Sequence, residues 1–317
     1  MNQQTIQSKQ SQRPIVVTAG STYLDIDAYA CAVALAELWR LKGCPAIAYS
    51  AATANYSVCA SLTEDHSLLR IWPSDIDRKE ARYIIVDVSD PDYIKDAVPL
   101  DQVVRVYDHH VGFESYWNDR IGEAAHIEFI GAAATLIYRE WKNEGLQGQM
   151  KSSTARLLVA AILDNTLNLT SSNTTPEDEV AFRELCQIGG IDETWRAAYF
   201  EEIQKSVELD LQNALMGDLK SLRDTAILPP RMAQLCVWDA QGILGYLPEI
   251  RRWFEGGEGW MINIISLKES CSYFVCYDAY HQKEIERVFD VRFRDGVAVS
   301  AVPYLRKQMI KKAYFDH

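Results

Sequence analysis

Val103-Val104-Arg105-Val106-Tyr107-Asp108-His109-His110 sets a run of β-branched and aromatic residues directly against three polar, metal-competent side chains. Such residues suit a pleated, half-buried surface, and a short apolar run closed by polar groups reads as a buried strand ending at a loop. The pattern recurs upstream in Tyr83-Ile84-Ile85-Val86-Asp87-Val88, and earlier in Pro14-Ile15-Val16-Val17-Thr18-Ala19-Gly20, which leads to Asp25-Ile26-Asp27. From Asp27 to Lys42 the chain is Ala-rich, with Val33, Leu38 and Leu41 at helical spacing and Gly43 as a stop. Further helical patterns cover Gly131 to Trp141 and Ser153 to Leu163. Strands alternating with helices predict an α/β fold, a doubly wound, mostly parallel sheet with helices on both faces.

At 317 residues the chain is long for one compact unit, so two domains of unequal size are expected. The interval from Glu177 to about Leu222 reads as helical, broken at Gly189-Gly190, which places a boundary near residue 192. Beyond it, Met232 to Trp238, Trp260 to Ser266 and Tyr273 to Tyr277 read as strands, with a helix from Ile243 to Phe254 after the first. The expected division is a polar leader over 1–13, a larger domain over 14–192 and a smaller α/β domain over 193–317.

Apolar residues make up 48% of the sequence and charged residues 24%, an ordinary globular composition. With 32 basic against 44 acidic residues the net charge is -12, which disfavours nucleic acid and anionic membranes as partners. An acidic protein can still meet an anionic substrate where clustered carboxylates hold divalent cations, because the ions become the largest local charges. Seven cysteines without a C-x-x-C pair suggest neither a disulfide framework nor a zinc ribbon, and fit a reducing, cytoplasmic setting. The leader MNQQTIQSKQSQR has no apolar core, and no stretch approaches the roughly 18 apolar residues of a membrane span, so neither secretion nor insertion is expected.

In parallel sheets ligands bind beyond the carboxyl ends of the strands, and Asp25, Asp27, Asp87 and Asp108-His109-His110 all follow strand ends. Asp25 or Asp27 read alone is equally a helix N-cap, and a lone loop aspartate is a turn former. Convergence on one sheet edge favours a common metal site. Adjacent histidines in extended backbone face opposite sides, so one of His109 and His110 is expected to ligate and the other to face substrate. Carboxylates with one or two imidazoles suit Mn, Mg or Co better than thiolate-loving metals. Asp164, at the end of the apolar Ala161-Ile162-Leu163 helix, is either a further ligand or only a helix terminus. In the second domain Lys220, Arg306 and Lys307 supply cations, and arginine can grip phosphate bidentately.

These motifs resemble the DHH phosphoesterase superfamily over nearly the whole chain. The order Asp25-x-Asp27, Asp87, Asp108-His109-His110, EFIGAAATLIYREW and ILDNTLNLTSSNTTPEDE is similar to the branch of manganese-dependent inorganic pyrophosphatases and prune-like short-chain exopolyphosphatases. Leu305-Arg306-Lys307 resembles that branch's C-terminal Ser-Arg-Lys signature, and Asp218-x-Lys220 its substrate lysine segment. No GGGH-type motif is present, which disfavours a nucleotide phosphodiesterase.

The resemblance implies that Asp25 binds one metal, that Asp27 and His109 bind another, and that Asp87 bridges them. His110, Lys220, Arg306 and Lys307 would hold phosphate, manganese is the implied metal with magnesium or cobalt as alternatives, and a homodimer is implied. The implied reaction is hydrolysis of pyrophosphate or short-chain polyphosphate by activated water. Three departures point to the alternative of a catalytically impaired phosphate- or nucleotide-binding regulator. Ser21 stands where the pyrophosphatases carry a histidine, Asn165 aligns with their distal aspartate while Asp164 is shifted one position, and Leu305 replaces the signature serine.

Overall fold

The computed structural model describes residues 13–22, 24–63, 69, 72–74, 76–254 and 259–315. The expected leader falls, but for Arg13, outside the described residues. The chain divides into two compact units, Met1–Trp195 and Arg196–His317.

The first unit is built on β1 (Ile15–Thr18), β2 (Ala46–Ala48), β3 (Arg82–Val86), β4 (Val103–Asp108) and β5 (Ala125–Ile127), in the order β2-β1-β3-β4-β5. Every pairing is parallel. Parallel strands need crossovers, and these lie on both faces as the alternating pattern predicts. One face is covered by α1 (Ile26–Leu41), α5 (Ala133–Asn143) and α6 (Ser152–Asn165), which pack on one another. The Trp141 indole N–H donates to the Ala34 carbonyl at 3.2 Å and ties α5 to α1. On the opposite face Tyr83, Ile85, Val103 and Val106 pack with Ile94 and Val98, which follow β3, and with Trp117 of α4 (Glu114–Ile121). Trp117 is fully buried, and its indole N–H donates to the Ser89 carbonyl at 2.7 Å, fixing the loop that leaves β3.

The first N–H groups of a helix have no partner within it, and two helix starts in this unit are closed by acids from elsewhere in the chain. No side chain of Lys151 caps α6. Instead buried Glu37 of α1 accepts from the Lys151 N–H at 3.1 Å and from the Thr154 hydroxyl. The next helix, α7 (Pro176–Gly189), has a capping box between Thr175 and Asp178.

The second unit carries a mixed sheet, β10-β9-β8-β7-β6, over β6 (Lys220–Ser221), β7 (Arg231–Val237), β8 (Trp260–Ser266), β9 (Cys271–Cys276) and β10 (Val297–Ser300). Only the central β7/β8 pairing is parallel. The single helix expected over Ile243 to Phe254 is two, α10 (Ala240–Leu244) and α11 (Leu247–Trp253). Gly245 and Tyr246 separate them, and Pro248, lacking a backbone N–H, stands in the first turn of the second. The last helix, α13 (Arg306–Tyr314), packs Met309 and Ala313 into a core with Phe274, Phe289 and Met232. No helix among the described residues is long and apolar enough to cross a membrane.

Candidate metal centre

The carboxyl ends of β1, β3 and β4 bring Asp25, Asp27, Asp87, Asp108, His109 and His110 to one edge of the parallel sheet. Asp25 is the N-cap of α1, accepting from the Ala28 N–H at 2.9 Å. The cap reading of this residue is therefore correct as far as it goes, and it leaves the second carboxylate oxygen for other work.

Asp27, in the first turn of α1, is completely buried. Its oxygens accept from the Ala133 and Ala134 N–H groups, both at 2.8 Å, and from the Cys31 thiol at 3.3 Å. It thus closes the N-terminus of α5, whose own N-cap residue, Ala132, has no side chain able to do so. Burial raises the Asp27 pKa most and Asp25 adds to it, while His109 and the two backbone N–H groups oppose the rise.

Asp87 follows β3 directly, in the left-handed region at φ 58°, a conformation that aspartate tolerates better than most residues. Its N–H donates to the Tyr107 carbonyl at 2.8 Å, so the chain leaves the ladder only at this residue. Burial, then the charges of Asp27, Asp25 and Asp108, push its carboxyl well above the usual carboxylate range, and Asp25 shares a hydrogen bond with it. Asp87 Oδ1 is buried without a hydrogen-bond partner, and so is His109 Nε2, 3.3 Å away.

The tautomer of His109 follows from its other nitrogen. Nδ1 lies 3.2 Å from the Ile130 carbonyl, an acceptor only, so Nδ1 carries the proton and Nε2 presents its lone pair toward Asp87. His110 is half-exposed, and its Nδ1 lies 2.9 Å from Oδ1 of the fully buried Asp108. The expectation that the two imidazoles face opposite sides is not met. β4 ends at Asp108 and the chain bends at His109, so the histidines lie outside the strand, and their ring centroids are only 4.3 Å apart. Ligand atoms of Asp87, His109 and His110 all lie within 4.8 Å of one another.

The loop before α5 supports both halves of this arrangement, through the Ile130 carbonyl on His109 and the Ala133 and Ala134 N–H groups on Asp27. Asp178 in turn holds the loop. Fully buried, it accepts from the Gly131 N–H at 2.9 Å, from the Thr135 hydroxyl at 2.6 Å and from Thr175. A Cβ on Gly131 would stand 2.6 Å from Asp178 Oδ2 and 2.7 Å from Thr166 Cγ2, so only glycine fits. Sequence reading missed Asp178 because PEDE looks like ordinary acidic residues in a first helical turn. The available signal was Gly131 among three alanines.

Asp164 lies in the last turn of α6, and burial with the charges of Asp25 and Asp27 raises its pKa to about 7. Asn165 instead turns its amide back to the Ala161 carbonyl at 3.4 Å. Immediately after α6, Leu167, Asn168 and Leu169 all have left-handed φ, between 50° and 65°. Thr166 holds that turn, its hydroxyl donating to Ile162 and accepting from the Leu169 N–H. Backbone strain of this kind gathers at functional sites. Ser21 is exposed.

The candidate cations of the second unit have different surroundings. Arg306 is engaged by Asp218 through both terminal nitrogens, at 2.7 and 3.1 Å, and also donates to the Asp218 and Met232 carbonyls. Lys220 and Lys307 are exposed.

The donor set fits a divalent cation. Several carboxylates raise one another's pKa, and an unprotonated imidazole nitrogen faces a buried carboxylate oxygen that has no donor. Such a cluster must be neutralised by protons or by a metal ion.

Fold and site define the class: a two-unit α/β protein with carboxylates and imidazoles gathered at the edge of a parallel sheet. Within it, the chain is homologous to proteins named manganese-dependent inorganic pyrophosphatase. It is 25% identical over 246 residues to the "Probable manganese-dependent inorganic pyrophosphatase" of Exiguobacterium sp. (strain ATCC BAA-1283 / AT1b), covering 74% of this chain and 75% of that one. A protein of the same name from Bacillus cereus (strain B4264) is 27% identical over 183 residues, and there the match spans only 56% of either chain. Among solved structures, a Methanococcus jannaschii protein assigned to the family II inorganic pyrophosphatases superposes with a TM-score of 0.60 at 18% identity, over 94% of this chain and 98% of that one. An exopolyphosphatase-related protein from Bacteroides fragilis gives 0.50 at 11% identity, over 98% and 93%. The two structures bear on the fold alone. No protein-family model matches the chain.

Proposed function

We propose that the protein is a divalent-metal-dependent phosphohydrolase that cleaves a phosphoanhydride bond of pyrophosphate or short-chain polyphosphate. The observation that carries this reading is the pair of buried, partnerless atoms Asp87 Oδ1 and His109 Nε2, 3.3 Å apart, with His110 within reach. The names of the homologues support both the reaction and manganese as the metal.

Asp25, Asp27, Asp87 and His109 would hold the metal, with Asp164 as a further ligand. When bound, a divalent cation stabilises charge on phosphoryl oxygens and lowers the pKa of water. The chain's own contribution is orientation. Ile130 fixes the His109 tautomer, and the start of α5 fixes Asp27. Asp108 accepts the Nδ1 proton of His110, and when Nε2 is protonated as well that nitrogen would give a hydrogen bond to a phosphoryl oxygen. Lys220, Arg306 and Lys307 are proposed as cations for the substrate's phosphate groups.

Purified protein supplied with Mn or Mg is expected to release phosphate from pyrophosphate, tripolyphosphate or tetraphosphate, and chelation should stop it. Absence of phosphate from all three refutes the reading. A second reading, a phosphate-binding regulator without turnover, is favoured by the Asn165 amide being tied to its own helix and by the exposed Ser21. Tight phosphate binding with no turnover would support it.

A further inference from the structure

A cavity of about 310 Å³ opens beside Asp87 and His110, and its two ends differ in chemistry. The polar end is formed by Asp25, Asp87, Asp108 and His110. The rest of the wall is largely carbon, from Ala19, Ala28, Val88, Tyr93, Val111 and Phe113. Two polar residues interrupt it, and both are engaged. The Ser89 hydroxyl donates to the His110 carbonyl at 3.2 Å, and the Asp90 carboxylate accepts from the Asp92 N–H at 2.9 Å. Among the described residues that line the cavity, none is lysine or arginine.

An inorganic phosphoanhydride gains little from such a wall, which offers no cation and, beyond the Tyr93 hydroxyl at its exposed edge, no free side-chain donor. A volume near 300 Å³ with apolar walls and a few polar groups at one end suits an organic ligand instead. Tyr93 is 42% and Val111 58% exposed, so carbon surface faces water at the mouth until something covers it. The rings of Tyr93 and Phe113 favour a flat aromatic occupant, which stacks as well as buries area.

We infer that this cavity seats an aromatic ring carried on the substrate's phosphate, so that an aryl-substituted phosphate is preferred over its inorganic counterpart. The inference rests on the proposed phosphohydrolase reading for the position of the phosphoryl group, and deepens it by naming a substrate class. Tyr93, Phe113 and Val111 then determine specificity without touching the reacting atoms.

Two non-hydrolysable probes that differ only in the organic group test it. In titration calorimetry of the full-length, manganese-loaded protein, phenylphosphonate is expected to bind at least about tenfold more tightly than methylphosphonate, from the area a ring buries. Tyr93→Ala and Phe113→Ala should each remove most of that preference and leave methylphosphonate affinity unchanged. Val111→Ser, at an exposed position, serves should Phe113→Ala fail to fold. Equal affinities, failure of both probes to bind, or a preference that survives in Tyr93→Ala and Val111→Ser overturns the inference. Phosphate release from tripolyphosphate by the same preparations separates the two levels. Release without a phenyl preference retires the aromatic seat alone, and a phenyl preference without release retires hydrolysis and keeps the seat.

Discussion

The carboxyl edge of the first sheet and the Asp218–Arg306 cluster of the second unit both gather charged side chains, yet they do so under opposite rules. Asp218 meets Arg306 through two of its nitrogens and also accepts from the Gln234 N–H at 2.6 Å, so its charge is answered within its own surroundings. At the first edge Asp87 and Asp27 are pushed up by burial and by neighbouring carboxylates, and Asp87 Oδ1 faces His109 Nε2 with no donor between them. A cluster of charge paired in this way is positioned by its own partners and needs no metal ion. A buried cluster of one sign, with Asp87 Oδ1 and His109 Nε2 left unpartnered and its frame held by Ile130, Ala133, Ala134 and Asp178, is suited to a ligand of the opposite sign.

The contrast is broken most forcefully at Asp87. Asp87→Asn is expected to lower manganese affinity about 100-fold or more, since changes even one shell further out cost about 10- to 100-fold. Phosphate release should fall at least as far, measured with saturating pyrophosphate or tripolyphosphate. The fold should survive, because the side chain removed is one that burial already penalises.

Gly131→Ala comes next, and it strikes the support instead of the ligand. The added Cβ would press on Asp178 and Thr166, a cost of about 1–3 kcal/mol. Chemical denaturation reads the stability loss. Weakened metal binding should accompany it, because the same loop carries the Ile130 and Ala133 contacts.

A third test uses pH. In chelated protein the Asp164 pKa stands at about 7, against an ordinary value of 3.8. Below the ordinary value both folded and unfolded states are protonated and the group is neutral toward stability. As pH rises toward 7 the unfolded chain ionises first, so stability falls across that window and levels off above it. Denaturation of chelated protein from acid to neutral pH should show this decline, and Asp164→Asn should make it shallower.

The smallest effect belongs to the paired cluster. Asp218→Ala is expected to destabilise the protein by about 1–2 kcal/mol, the usual worth of partly buried hydrogen bonds to a charged group. Manganese affinity should not change, and a loss comparable to that of Asp87→Asn would erase the distinction between the two regions.

The strands that position the centre were legible because Ile15-Val16-Val17, Ile84-Ile85-Val86 and Val103 to Tyr107 are continuous apolar runs that close on aspartates. The edge strands Ala46–Ala48 and Ala125–Ile127 were not, since three residues, of which only one in each is a strong β former, are too short to carry a pattern. Asp27 could be read as cap or ligand from its place after a strand. That it closes a helix starting more than a hundred residues later depends on packing that no local pattern contains. The histidine pair misled for a related reason. Alternation holds only while the backbone stays extended, and β4 ends one residue too early.

The central claim is that Asp87 and His109 form one arm of a divalent metal site. Titration of the full-length protein with manganese, followed by the electron paramagnetic resonance signal of the free aqueous ion, tests it most directly. Saturable uptake by the wild-type chain, abolished in the Asp87→Asn/His109→Ala double variant, is the predicted result. Uptake of equal affinity and stoichiometry in both proteins would contradict the account.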